Sequence, residues 1–171
     1  MAGPVWEVYD ALRTVRLNVR CYEFKLSSAK RTAFWLDIVS AGSASSAVAG
    51  IWLWQTPLGI VLWKALGSAS AIVSVYQLVA RPSDRVRELE ARVTNYRALD
   101  FDLDGIRRRI QEQRAYSPEL RAQFHAVMER LRGLSSSYSD PVDDDTRDLF
   151  QAAVQKELPV SAFYDPQMLE E

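Results

Sequence analysis

The sequence predicts an all-α integral membrane protein: a two-helix transmembrane hairpin, led in by an amphipathic helix and followed by cytoplasmic helices. Three observations lead there. First, the block from Ala33 to Ala80 holds only two charged residues, Asp37 and Lys64, although a quarter of the 171-residue chain is charged. Second, this block is divided once, at Gln55-Thr56-Pro57, a link so short that the two halves must run antiparallel. Third, basic residues gather at both outer ends of the block and are missing from the turn. The organisation that follows is a cytoplasmic amphipathic helix over 1–32, a hairpin over 33–80 with spans at 33–54 and 58–80, and a cytoplasmic helical region over 81–171.

The lead-in is read from its spacing. Val5, Val8, Leu12, Val15, Val19, Tyr22, Leu26, Ala29 and Ala33 recur at alternating intervals of three and four, as on a helix with one buried seam. Arg13, Arg16 and Arg20 form a second stripe on the same helix. No Pro or Gly interrupts the run into the first span, so one long helix is expected. Taken alone, residues 5–26 would equally suit an amphipathic helix on a soluble core. The first 30 residues lack the apolar stretch and small-residue cleavage site of a signal peptide.

Each half of the apolar block is long enough, at ~1.5 Å per residue, to cross a hydrocarbon layer of ~30 Å. Trp35, Trp52, Trp54 and Trp63 lie where interfacial aromatics anchor a span. Lys25, Lys30 and Arg31 precede the hairpin, and Arg81, Arg85 and Arg87 follow it. This asymmetry puts both termini in the cytoplasm, in a multi-pass protein of the bacterial inner membrane. The competing reading is a helical hairpin buried in a soluble core, but runs this long with so little charge belong mostly to membranes.

The spans are rich in small and polar residues. Asp37, Ser40, Ser43, Ala47 and Gly50 share one face of the first; Lys64, Gly67, Ser68, Ala71, Ser74 and Gln77 share one face of the second. Small side chains let helices approach closely, and Ser hydroxyls can bond across them, so hairpin packing or oligomer contact explains most of these positions. Asp37 and Lys64 are costlier, at ~2.5–3.5 kcal/mol each if they faced lipid at mid-helix, so both should face protein or water, or snorkel to the interfaces. Half a membrane separates them, which argues against an Asp37–Lys64 pair within one hairpin. One hairpin cannot enclose a channel, so a conducting role requires a homo-oligomer with the polar stripes inward.

After Ala80 the chain turns polar. Pro82-Ser83-Asp84 reads as a turn and N-cap. Val86, Leu89, Val93 and Tyr96 form a helical seam that Asp100 interrupts, and Leu103, Ile106 and Ile110 resume it around a weakening Gly105. Ser117-Pro118 opens a helix with Leu120, Phe124, Val127, Met128, Leu131 and Leu134, which Gly133 and the following serines should end. Residues 135–145 read as an acidic loop. A short helix with Leu149, Phe150, Val154 and Leu158 closes at Pro159, where Val160, Phe163 and Tyr164 dock back.

Little points to catalysis. Cys21, the single cysteine, is a packing residue on its helix; His125 has no companion ligands for a metal; and Asp143-Asp144-Asp145 looks like a solvated loop. No nucleophile, base and orienting group can be assembled, and neither an enzyme nor a bound cofactor is expected. A net charge of −1 gives no drive toward nucleic acid, and Arg107-Arg108-Arg109 is the usual solvated helix face.

The arrangement resembles the SLATT domains, two-transmembrane effectors of bacterial nucleotide-linked conflict systems. The resembling residues are Tyr22, Glu23, Lys25 and Ser28 through Trp35, the short-turn hairpin, Tyr96-Arg97-Ala98-Leu99, and Glu157-Leu158-Pro159 with Phe163-Tyr164. The resemblance implies an anti-phage membrane effector that oligomerises and permeabilises the inner membrane, triggered by a nucleotide-generating or nucleotide-sensing partner. It supplies no catalytic residues. The alternative is a non-conducting anchor or adaptor that presents the cytoplasmic helices.

Overall fold

A computed structural model describes residues 4–53, 57–137 and 144–159, with side chains outside the description at 4, 42–53, 57–59, 62, 63, 66, 77, 78, 80 and 137. Among the described residues the chain is entirely helical: α1 (Pro4–Leu53), α2 (Pro57–Ala80), α3 (Pro82–Gln113), α4 (Pro118–Ser137) and α5 (Asp144–Glu157). The chain divides into two compact units, one of Met1–Phe24 with Ala91–Glu171, the other of Lys25–Glu90.

The first unit is a helical bundle. Val8, Leu12 and Val15 of α1 are buried with Leu99, Leu103 and Ile110 of α3, Leu120, Phe124 and Val127 of α4, and Val154 of α5. Val5, Val8, Leu12, Val15 and Tyr22 of the expected lead-in seam thus join the core, with Cys21 beside them, while Val19, Leu26, Ala29 and Ala33 are only half-buried. Polar ties set the helix directions. Arg16 meets Asp100 and Asp104, and Arg97 meets Glu23, which makes α1 and α3 antiparallel. Arg109 bonds Gln123 and Arg130 bonds Asp102, so α3 and α4 are antiparallel too. Arg13 donates to the Leu158 carbonyl, Arg20 pairs with Glu157, and Phe24 meets Phe150, which lays α5 antiparallel on α1.

Several expectations need correction. Asp100 does not interrupt the α3 seam, because Leu99 fills it and Asp100 stands beside it to receive Arg16 at 2.9 Å. The link between α2 and α3 is the single residue Arg81, in left-handed conformation (φ 40°), and Pro82-Ser83-Asp84 already belongs to α3. Finally, α4 passes Gly133 and runs to Ser137, while Ser135 and Ser136 donate to the carbonyls of Arg132 and Gly133. The expected helix start at Ser117-Pro118 is met: the Ser117 hydroxyl accepts the Leu120 amide as an N-cap, and Pro118 takes the first helical position. Asp144 and Asp145, expected in a loop, occupy the first turn of α5, where the helix dipole favours carboxylates. Trp54, the turn at Gln55-Thr56, Asp143, Val160, Phe163 and Tyr164 lie outside the described residues.

Asp104 is the electrostatic hub of the bundle. It accepts from Arg16 at 3.3 Å, Arg107 at 2.8 Å and Arg108 at 2.8 Å, with its side chain 14% exposed. Replacing it with Asn keeps the shape and leaves half-buried Arg16 and Arg107 short of counter-charge. The expected loss is about 1–3 kcal/mol in a denaturant titration. Asp102→Asn, which breaks the more exposed pair with Arg130, should cost no more than about 1 kcal/mol.

The second unit contains the hairpin. Pro57 opens α2 as expected. Among the described residues no helix is long and apolar enough to cross a membrane. The expected spans 33–54 and 58–80 are therefore not met within that set. Lys64, Gly67, Ser68, Ser70 and Ser74 dilute α2, and the side chains of Ile51 on α1 and of Leu58, Leu62, Leu66 and Leu78 on α2 lie outside the described residues. Lys30 on α1 pairs with Glu90 on α3 at 2.7 Å within this unit.

Candidate functional site

The hairpin unit carries an unusual surface. Phe34, Trp35, Ile38 and Val39 on α1 and Ile60, Val61, Ile72, Val75, Tyr76 and Val79 on α2 are all exposed, with Ile72 at 70% and Val79 at 80%. Helices normally turn such side chains to one buried face. Here the described large apolar positions of α2 share one broad face, and that face is exposed, while Val73 is half-buried. Water penalises an apolar area of this extent, so a surface of this kind marks a membrane or partner contact.

The expected polar stripe of α2 is also at the surface. Lys64, Gly67, Ser68, Ala71 and Ser74 are exposed. A Cβ added at Gly67 would meet nothing within 4 Å, so this glycine does not serve close packing inside the unit. Nor are the hydroxyls of Ser68 and Ser74 directed at another helix. Each donates to its own helix four residues back, to the carbonyls of Lys64 and Ser70, both at 2.8 Å. On α1, Asp37 is exposed and Ser40 half-buried. Trp35 is exposed and packs edge-on against Phe34 at 5.9 Å between ring centres. The side chains of Ser43, Ala47, Gly50, Trp52, Trp63 and Gln77 lie outside the described residues.

The bundle unit holds a polar cleft that sequence reasoning missed. It measures about 460 Å³ and is walled by Arg16, Arg20 and Arg97 facing Glu23, Asp100 and Glu157. Each of these arginines is matched to a carboxylate of the same cleft. The walls are thus balanced in charge and offer no concentrated field to an anion. The Arg stripe of α1 was visible in the sequence, but its partners stand more than 80 residues away, as Arg16 and Asp100 do. The Arg107–Arg109 run is likewise engaged, with Asp104 and Gln123. Burial raises the Tyr116 phenol above its ordinary 10.0, with Arg121 working against it and Glu7 with it. That keeps Tyr116 neutral at physiological pH and unsuited to act as a base. His125 is exposed beside Phe124, and no cluster suited to hold a metal occurs among the described residues.

No protein-family model matches the chain, and no curated protein and no solved structure matches it. Its functional reading therefore rests on its own residues.

Proposed function

We propose that this chain is a two-span membrane effector of bacterial anti-phage defence, with both termini cytoplasmic. It assembles into homo-oligomers and permeabilises or depolarises the inner membrane on a signal from a nucleotide-generating or nucleotide-sensing partner. The observation that carries the membrane part is the exposed apolar surface concentrated on the hairpin, from Phe34 to Val79, beside the scattered Phe24, Phe101 and Leu149 of the bundle. Lipid is the environment that removes its cost. The length of α2 is compatible: 24 residues, or ~36 Å at ~1.5 Å each, with Lys64 its one charge. Assembly is supported by the outward stripe of small residues around Gly67, which leaves room for a second helix. The defence role is supported by the resemblance to SLATT effectors.

Membrane potential in bacteria, followed with a voltage-sensitive dye after induced expression, tests the effector reading. Rapid depolarisation is expected, weakened by Lys64→Ala. A hairpin exchanged for an unrelated one of the same topology should abolish it. Preserved activity after that exchange would favour the second reading, a non-conducting anchor that presents the bundle. The feature favouring the anchor is the bundle itself, which has its own core and cleft.

A further inference from the structure

Most arginines of the bundle are engaged: Arg13 with a carbonyl, Arg16, Arg20, Arg97, Arg107, Arg108, Arg130 and Arg132 with carboxylates, although Arg114 and Arg147 are exposed and meet no carboxylate among the described residues. In the hairpin unit Arg31, Arg81, Arg85 and Arg87 are all exposed and meet no carboxylate among the described residues, and the first three stand beside exposed apolar surface.

Each group of these cations adjoins exposed apolar side chains. Arg31 shares a face of α1 with Phe34 and Trp35, three and four residues on, exposed by 59% and 58%. Arg81 follows Val79, 80% exposed, at the end of α2. The Arg81 carbonyl accepts the amides of Asp84 and Arg85 at 3.0 and 3.2 Å, which holds both arginines in one turn. The Lys30–Glu90 pair ties the segments of α1 and α3 that carry them.

Arg81 has a second peculiarity. Its left-handed backbone favours glycine, and a side-chain-bearing residue there costs stability. A cation held at a strained position, exposed, without a counter-ion and next to apolar surface has the chemistry to meet a phosphate whose neighbours are acyl chains. We propose that Arg31, Arg81 and Arg85 bind the headgroup phosphates of anionic phospholipids at the base of the hairpin. This rests on the membrane reading above.

The test uses the full chain in two vesicle types, pure phosphatidylcholine and a mixture with phosphatidylglycerol. Resistance to carbonate extraction reports integration, and native mass spectrometry reports the lipid retained. Integration into both vesicles is expected, with phosphatidylglycerol retained preferentially. Arg81→Gln with Arg85→Gln should weaken that preference roughly 30-fold, from two charges each acting at the surface. Arg81→Gly should weaken it as well while raising the unfolding temperature, because it removes the charge and relieves the backbone together. Arg114 also has a left-handed backbone but lies in the bundle, so Arg114→Gly should raise the unfolding temperature and leave the lipid preference unchanged. Integration without headgroup preference, or a preference that survives the double substitution, overturns the phosphate site and leaves the membrane reading standing. Extraction from both vesicle types overturns both.

Discussion

Ile72→Asp with Val75→Asp is expected to release the chain from the membrane fraction. Both side chains are exposed, by 70% and 62%, so neither substitution removes packing within the unit. In water such changes shift stability by no more than about 0.5 kcal/mol each. In lipid the same changes cost ~2.5–3.5 kcal/mol each near the centre of a span, or roughly 5–7 kcal/mol together. That is a shift of several powers of ten in the insertion equilibrium. Carbonate extraction followed by immunoblotting measures it, and Phe101→Asp, at an 80% exposed site in the bundle, is the control. If the double variant stayed membrane-bound like the control, the apolar face of the hairpin would not be in contact with lipid. If the unaltered chain were already extractable, the membrane proposal itself would fall.

The second large effect lies in the bundle. Leu12 and Leu103 have 0% exposure, and each should cost about 2–5 kcal/mol when cut to alanine, from lost burial and the cavity left behind. Domains are stable by only about 5–15 kcal/mol, so either change takes a large share. Leu149 has the same side chain on α5 but is 70% exposed, and Leu149→Ala should change stability by no more than about 0.5 kcal/mol. Helicity against denaturant, followed by circular dichroism, compares the three. Equal midpoints for Leu12→Ala and Leu149→Ala would contradict the packing described. The contrast also separates a seam residue from one that merely looks apolar in the sequence.

Much of the fold was legible because it is local. Unbroken three-and-four spacing from Val5 to Ala33 implied one long helix, and α1 runs Pro4–Leu53. Pro57 and Pro118 marked helix starts because a proline costs no hydrogen bond there. Partners between helices were not legible. By spacing alone Asp100 breaks a seam, since nothing in its own helix announces that Arg16 will reach it. By residue type Gly133 ends α4, yet one glycine costs only about 1 kcal/mol in a helix and does not stop it. For the candidate site, spacing put Lys64, Gly67, Ser68, Ala71 and Ser74 on one face, and all five are exposed. The hydroxyl directions of Ser68 and Ser74 were beyond reach, because side-chain rotation leaves no trace in residue order. The cleft of the bundle was missed for a similar reason, since its walls come from three helices far apart in sequence.

The inward hydrogen bonds of Ser68 and Ser74 bear on how a neighbouring helix would behave on that face. With the hydroxyl protons held by the carbonyls of Lys64 and Ser70, the face offers no directional donor at either serine. A helix lying there is held by shape and dispersion, which vary gradually as it rolls or slides. Such a joint resembles a bearing more than a lock: neighbouring registers differ little in energy, and a modest push from elsewhere is enough to turn one into another.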